Sequence, residues 1–147
     1  MCEALSEAHP DLTWRTEYRI GKTPVDIAGV DDGLLVLVEL EWRRADPADN
    51  AGKLFRHLNA STQLPNSVLF AQVFSGYYDL TRGGVSAKRK NAEFVGKMAA
   101  RSVESLRYCP ISLPLDPPKR GGPRPENWEQ SVETVLRSLR SEIDSTR

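Results

Sequence analysis

Cysteine is scarce in this chain. Cys2 and Cys109 stand far apart with no CxxC or Cys/His spacing, so neither a zinc site nor a disulfide framework is indicated, and a reducing compartment is the expectation. Long hydrophobic runs are also missing. The longest, residues 34–38, is far too short to span a bilayer, and the N-terminus lacks the basic and apolar stretches of a signal peptide. These absences lead us to expect a soluble, cytoplasmic protein with no membrane partner. There is no excess charge of either sign: 20 Lys and Arg balance 20 Asp and Glu. Bulk electrostatic attraction to nucleic acid is therefore excluded, and any such contact must come from local patches. No internal repeat is visible.

What is present is an ordinary globular composition, 39% hydrophobic and 27% charged, over 147 residues. That length suits one domain spanning residues 1–147 and needs no metal or disulfide to fold. One composition shift stands out, the Pro/Gly-rich basic stretch 110–125, which reads as a loop.

Periodicity supplies the elements. Residues 3–8 form a short helix. Residues 14–20 alternate large and charged side chains as a strand with one wet face. Residues 23–30 and 34–42 are β-rich runs separated by Asp31-Asp32-Gly33, and an Asp-Gly pair between apolar runs is a strong hairpin signal. Asp46 is placed to cap a second helix with Pro47 at its first position, and Ala51, Leu54, Phe55 and Leu58 recur at helical spacing before Pro65. Residues 68–74 read as a buried strand. Phe94, Val95, Met98, Ala99, Val103 and Leu106 mark the expected inner face of a helix over 86–106, and 108–115 is a short strand limited by its prolines. Residues 126–145 form a last helix with the apolar stripe Trp128, Val132, Val135, Leu136, Leu139 and Ile143. The order is α-β-β-β-α-β-α-β-α.

Acidic residues interrupt two runs that otherwise read as buried strand: Asp26 in 23–27, and Glu39 and Glu41 in 36–42. Buried carboxylates are costly unless paired, hydrogen-bonded or bound to metal. A two-residue Asp32-Gly33 turn sets Asp26 opposite Glu39 on one face, which Glu41 shares two residues on. A three-residue Asp31-Asp32-Gly33 loop would instead set Asp26 against Val38. Opposed carboxylates call for a positive partner, and Mg²⁺ (or Mn²⁺) takes one or two carboxylates, keeps waters and can activate one against a phosphodiester.

In Pro24-Val25-Asp26 and Glu39-Leu40-Glu41, residues 1–80 resemble the PD-(D/E)xK nuclease superfamily. The resemblance implies an α/β fold with a restriction-endonuclease-like αβββαβ core, a central mixed β-sheet flanked by helices, here with an added C-terminal helix. It implies metal binding by Asp26 and Glu39 and hydrolysis of DNA phosphodiester bonds. Two departures are visible: one residue is inserted between Pro24 and Asp26, and Glu41 stands where lysine is usual, giving a Glu-x-Glu variant. Lys53 on the following helix is the matching candidate for the missing cation, with Arg43 a poorer one, and Glu7 matches an additional acidic residue of some members. The implied catalytic set is Asp26, Glu39, Glu41 and Lys53.

Asn50, Lys53 and His57 fall on one side of the second helix, which would face the carboxylates or solvent. Arg82, Lys88, Arg89 and Lys90 concentrate charge near a helix start and are candidate nucleic-acid contacts. Residues 119–124 form a second basic patch. Tyr77 and Tyr78 have faces for bases to stack on, or pack at a strand end. Trp14, Trp42 and Trp128 read as core anchors. The leading expectation is a Mg²⁺-dependent endonuclease acting on DNA, with a homodimer left open. The alternatives are a catalytically inactive module of the same fold that binds nucleic acid or a protein, and an unrelated α/β domain whose hairpin acids are structural.

Overall fold

The computed structural model describes all residues except 62, 63 and 119–121. Three antiparallel strands occupy the first third: β1 (Thr13–Ile20), β2 (Thr23–Val30) and β3 (Leu34–Glu41), preceded by helix α1 (Cys2–Ala8). The β2–β3 turn is held by Asp31, whose Oδ1 accepts from the N–H groups of Gly33 and Leu34, both at 2.7 Å. A side chain that ties down the backbone two and three residues ahead selects this tight turn. The register follows: Val30 pairs with Leu35 and Ile27 with Val38, as the two-residue Asp32-Gly33 loop requires.

Helix α2 (Pro47–Ala60) starts as its sequence dictates, with Asp46 accepting from the Asp49 N–H at 3.1 Å and proline in the first turn. It crosses over to β4 (Ser67–Ser75), parallel to β3, and a 3₁₀ turn (Gly76–Tyr78) follows. Helix α3 (Ala87–Ser102) then leads to β5 (Leu106–Leu113), parallel to β4. Helix α4 (Trp128–Thr146) closes the chain. The result is an α/β fold: an open, mixed, five-stranded sheet of order β1-β2-β3-β4-β5, flanked by helices.

Strands β3 and β4 are covered on both faces and accordingly read as nearly continuous apolar runs. On one face Leu35, Leu37, Val68 and Phe70 pack under α2, with α3 beside them; on the other Val36, Val38, Leu69 and Val73 pack under α4 and α1. Trp14, Trp42 and Trp128 all belong to the second cluster, Trp42 and Trp128 meeting edge to face. Pro110 is tolerated because β5 is an edge strand.

Helix α3 differs from the expectation. It ends at Ser102, and Phe94 and Met98, expected on its inner face, are 65% and 40% exposed. Val95, Ala99 and Val103 pack on the core as expected, and Arg89, Ala92 and Gly96 are the buried residues of the helix; at Gly96 the Tyr108 ring of β5 fills the space, since a Cβ there would lie 2.4 Å from that ring.

Candidate active site

Asp26 is where the sheet opens. The β2–β3 ladder stops at Ile27↔Val38, and the β1–β2 ladder passes from Thr16↔Ile27 to Tyr18↔Val25 without pairing Asp26. The skipped partner, Glu17, has a φ of 51°, a left-handed conformation costly for a side chain of this kind and most often kept where function needs it. In place of ladder bonds, the Asp26 N–H donates to Glu39 Oε2 at 3.2 Å and the Leu40 N–H donates to Asp26 Oδ2 at 2.7 Å. The two carboxylates thus come together on adjacent strands, on the wall of a cleft of about 350 Å³ that Glu17, Arg19 and Arg44 also line. The cleft lies between the C-terminal end of β3 and the start of β2, with β1 residues on its rim.

Glu41 sits behind this wall. It is fully buried, and its Oε1 accepts from Gln72 Nε2 at 2.7 Å and from Asn50 Nδ2 at 3.4 Å. Gln72 is in turn held by the Tyr108 hydroxyl, which donates to its Oε1 at 2.9 Å, while Gln72 Nε2 also reaches the Pro47 carbonyl at 3.2 Å. Asn50 donates to Glu39 Oε1 as well, so one helix residue ties both acids together. Arg44 supplies the positive charge: Nη2 is 3.4 Å from Glu39 Oε1 and Nε 3.7 Å from Glu41 Oε2, an oxygen that makes no hydrogen bond.

Burial sets the electrostatics. Loss of water pushes the Glu39 carboxyl up to about 7, with the Asp26 charge adding to the rise and the Asn50 hydrogen bond and Arg44 opposing it. Burial likewise raises Glu41, against the pull of Gln72, Asn50 and Arg44. Burial pushes the Tyr78 phenol up to about 12; its hydroxyl donates to the Arg44 carbonyl at 3.1 Å and so braces the segment that carries the arginine.

Of the expected site residues, Asp26, Glu39 and Glu41 are brought together, with only the first two on the cleft. Lys53 is directed elsewhere: its Nζ pairs with Asp49 at 2.6 Å on the exposed side of α2. Arg43 donates to the Pro117 carbonyl, and His57 packs against Gly21 in the β1–β2 turn. Exposed Glu7 lies on α1, which packs on the other face of the sheet. Arg82, Lys88 and Lys90 are exposed, but Arg89 is buried, held by Glu93 at 2.8 Å and Asp79 at 3.6 Å above the Phe74 ring. Within the second basic patch, 119–121 lie outside the described residues. Arg44, Arg19, Glu17 and Gln72 were not anticipated. Gln72 alone had a signal, being a polar side chain within a buried strand.

Among the described residues, no three or more His, Cys, Asp or Glu side chains are grouped to hold a metal ion, and no helix is long and apolar enough to cross a membrane. No family model matches the chain, and neither the curated proteins nor the solved structures contain a significant match.

Proposed function

We propose that the chain is a Mg²⁺-dependent nuclease that hydrolyses phosphodiester bonds of DNA, on a restriction-endonuclease-like core. The observation that carries this reading is the Asp26–Glu39 pair, two carboxylates that bond across the point where the β2–β3 ladder stops and line one cleft with two arginines. The order α1-β1-β2-β3-α2-β4, with the acids on β2 and β3, is that expected of the resemblance.

The donor type suits a hard cation. Mg²⁺ takes one or two carboxylates with waters completing its shell, and Asp26 and buried Glu39 bring two carboxylates to the cleft wall. Bound there, such an ion neutralises phosphate charge and acidifies water. The chain's own residues do the rest. Asn50 and the Asp26 N–H orient the Glu39 carboxylate, and Gln72 and Tyr108 hold Glu41 behind it, beside Arg44. Half-exposed Arg44, with Arg19 opposite, provides the positive charge on the phosphate that Lys53 was expected to supply.

The test is metal-dependent cleavage of DNA by the wild type and by Asp26→Asn and Glu39→Gln. Loss in both variants with the fold retained supports the reading. One observation favours the alternative, a catalytically inactive nuclease-fold module: Arg44 already neutralises Glu39 and Glu41 from within the chain. In that case neither substitution alters function.

A further inference from the structure

Tyr77 sits where β4 leaves the sheet, on the same strand-end side as the carboxylate cleft, and its ring is 42% exposed. Exposed aromatic rings are usually loosely held. This one is not: it packs edge to face on buried Tyr78, with centroids 5.2 Å apart, and the Tyr78 hydroxyl donates to the carbonyl of Arg44. Two cations attend the same ring, Arg43 Cζ and Lys88 Nζ, each 5.8 Å from its centroid. Arg43 is anchored by the Pro117 carbonyl and adjoins Arg44 in sequence, while Lys88 is exposed at the start of α3. A half-exposed ring with a guanidinium and an ammonium over it offers an unpaired base an aromatic and guanidinium stack, and its flanking phosphates positive charge.

We propose that Tyr77, with Arg43 and Lys88, forms a stacking platform for an unpaired nucleotide, so that the substrate of the adjacent cleft is DNA with a single-stranded segment. The inference deepens the nuclease reading and rests on the cleft being a nucleic-acid site. A base inside a duplex has both faces covered by its neighbours and has none to offer Tyr77. A single strand offers one at every step. The chain's zero net charge makes such a local arrangement the necessary source of affinity.

The experiment is fluorescence anisotropy of labelled oligothymidylate, a blunt duplex and polyglutamate with the wild type, Tyr77→Ala, Tyr77→Trp and Lys88→Ala, in EDTA so that nothing is cut. The wild type should bind the oligothymidylate more tightly than the duplex. Tyr77→Ala should weaken that binding roughly five-fold or more, Tyr77→Trp should restore it, and Lys88→Ala should lower the salt slope by about one. Circular dichroism of each variant verifies the fold. Equal binding by wild type and Tyr77→Ala overturns the platform, as does preference for polyglutamate, which would make the patch a site for an acidic protein. Binding through Tyr77 without cleavage on adding Mg²⁺ leaves the platform standing and defeats the nuclease reading. Cleavage of blunt duplex unaffected by Tyr77→Ala does the reverse.

Discussion

Asp26 and Glu39 hold each other's strands: the Asp26 N–H donates to the Glu39 carboxylate, and the N–H of Leu40, next to Glu39, donates to the Asp26 carboxylate. Two side chains here replace a rung of the sheet. Backbone groups that lose their ladder partners need others, and the two acids meet that need from the wall of the cleft. This explains how like charges occupy adjacent strands without splitting them, and why the cleft opens at this rung.

The first prediction concerns pH. Glu39 has its carboxyl raised to about 7 against an ordinary value near 4.5, mainly by burial, and Glu41 is raised in the same sense. Between about pH 4.5 and 7 the folded chain therefore holds more protons than the unfolded one. The stabilisation is fully present below that window and is lost as pH rises through 7. For Glu39 the loss amounts to roughly 3 kcal/mol. Thermal melts of metal-free protein across this window should show Tm falling, and Glu39→Gln should flatten the fall. A variant with the same slope as the wild type would contradict the assignment.

The second concerns Gln72, whose amide holds buried Glu41 and whose carbonyl takes the Tyr108 hydroxyl. Gln72→Leu strands the Tyr108 hydroxyl and leaves Glu41 Oε1 only the 3.4 Å contact with Asn50, at about 1–3 kcal/mol for each unsatisfied group. Urea unfolding should report a midpoint well below that of the wild type. In a Glu41→Gln background the cost of Gln72→Leu should be smaller, since the stranded partner is then uncharged. Equal costs in the two backgrounds would show that Gln72 does not act on Glu41.

Gly96 provides a test with an unexpected sign. Glycine to alanine within a helix ordinarily gains up to about 1 kcal/mol. Here the added Cβ would lie 2.4 Å from the Tyr108 ring, and overpacking costs about 1–3 kcal/mol. Gly96→Ala should therefore lower Tm, and Gly96→Ala in a Tyr108→Leu background should lower it less. A rise in Tm for the single variant would show that α3 does not press on that ring.

Much of the fold could be read from local signals. The Asp31 turn set the β2–β3 register, Asp46 and Pro47 set the start of α2, and the apolar stripe of α4 gave its buried side. These signals act within a few residues, so sequence carries them. The face of α3 could be read only in part: Val95 and Ala99 pack on the core, but the space at Gly96 is taken by Tyr108, which comes from a later strand. The site divides in the same manner. Asp26, Glu39 and Glu41 announced themselves as acids within apolar strands. Arg44 lies beyond the end of β3, where strand alternation no longer says which way a side chain points, and Lys53 found a nearer partner in Asp49, one helical turn back.

The central claim is that Asp26 and Glu39 together bind a divalent cation for phosphodiester cleavage. It is tested most directly by calorimetric titration of Mg²⁺ or Mn²⁺ into the wild type and Asp26→Ala, alongside cleavage of single-stranded, duplex and branched DNA. The wild type alone should bind, with protons released near neutral pH as Glu39 ionises, and should show metal-dependent cleavage that Asp26→Ala lacks. Absence of metal binding by a folded wild type, or equal binding by both proteins, would contradict it.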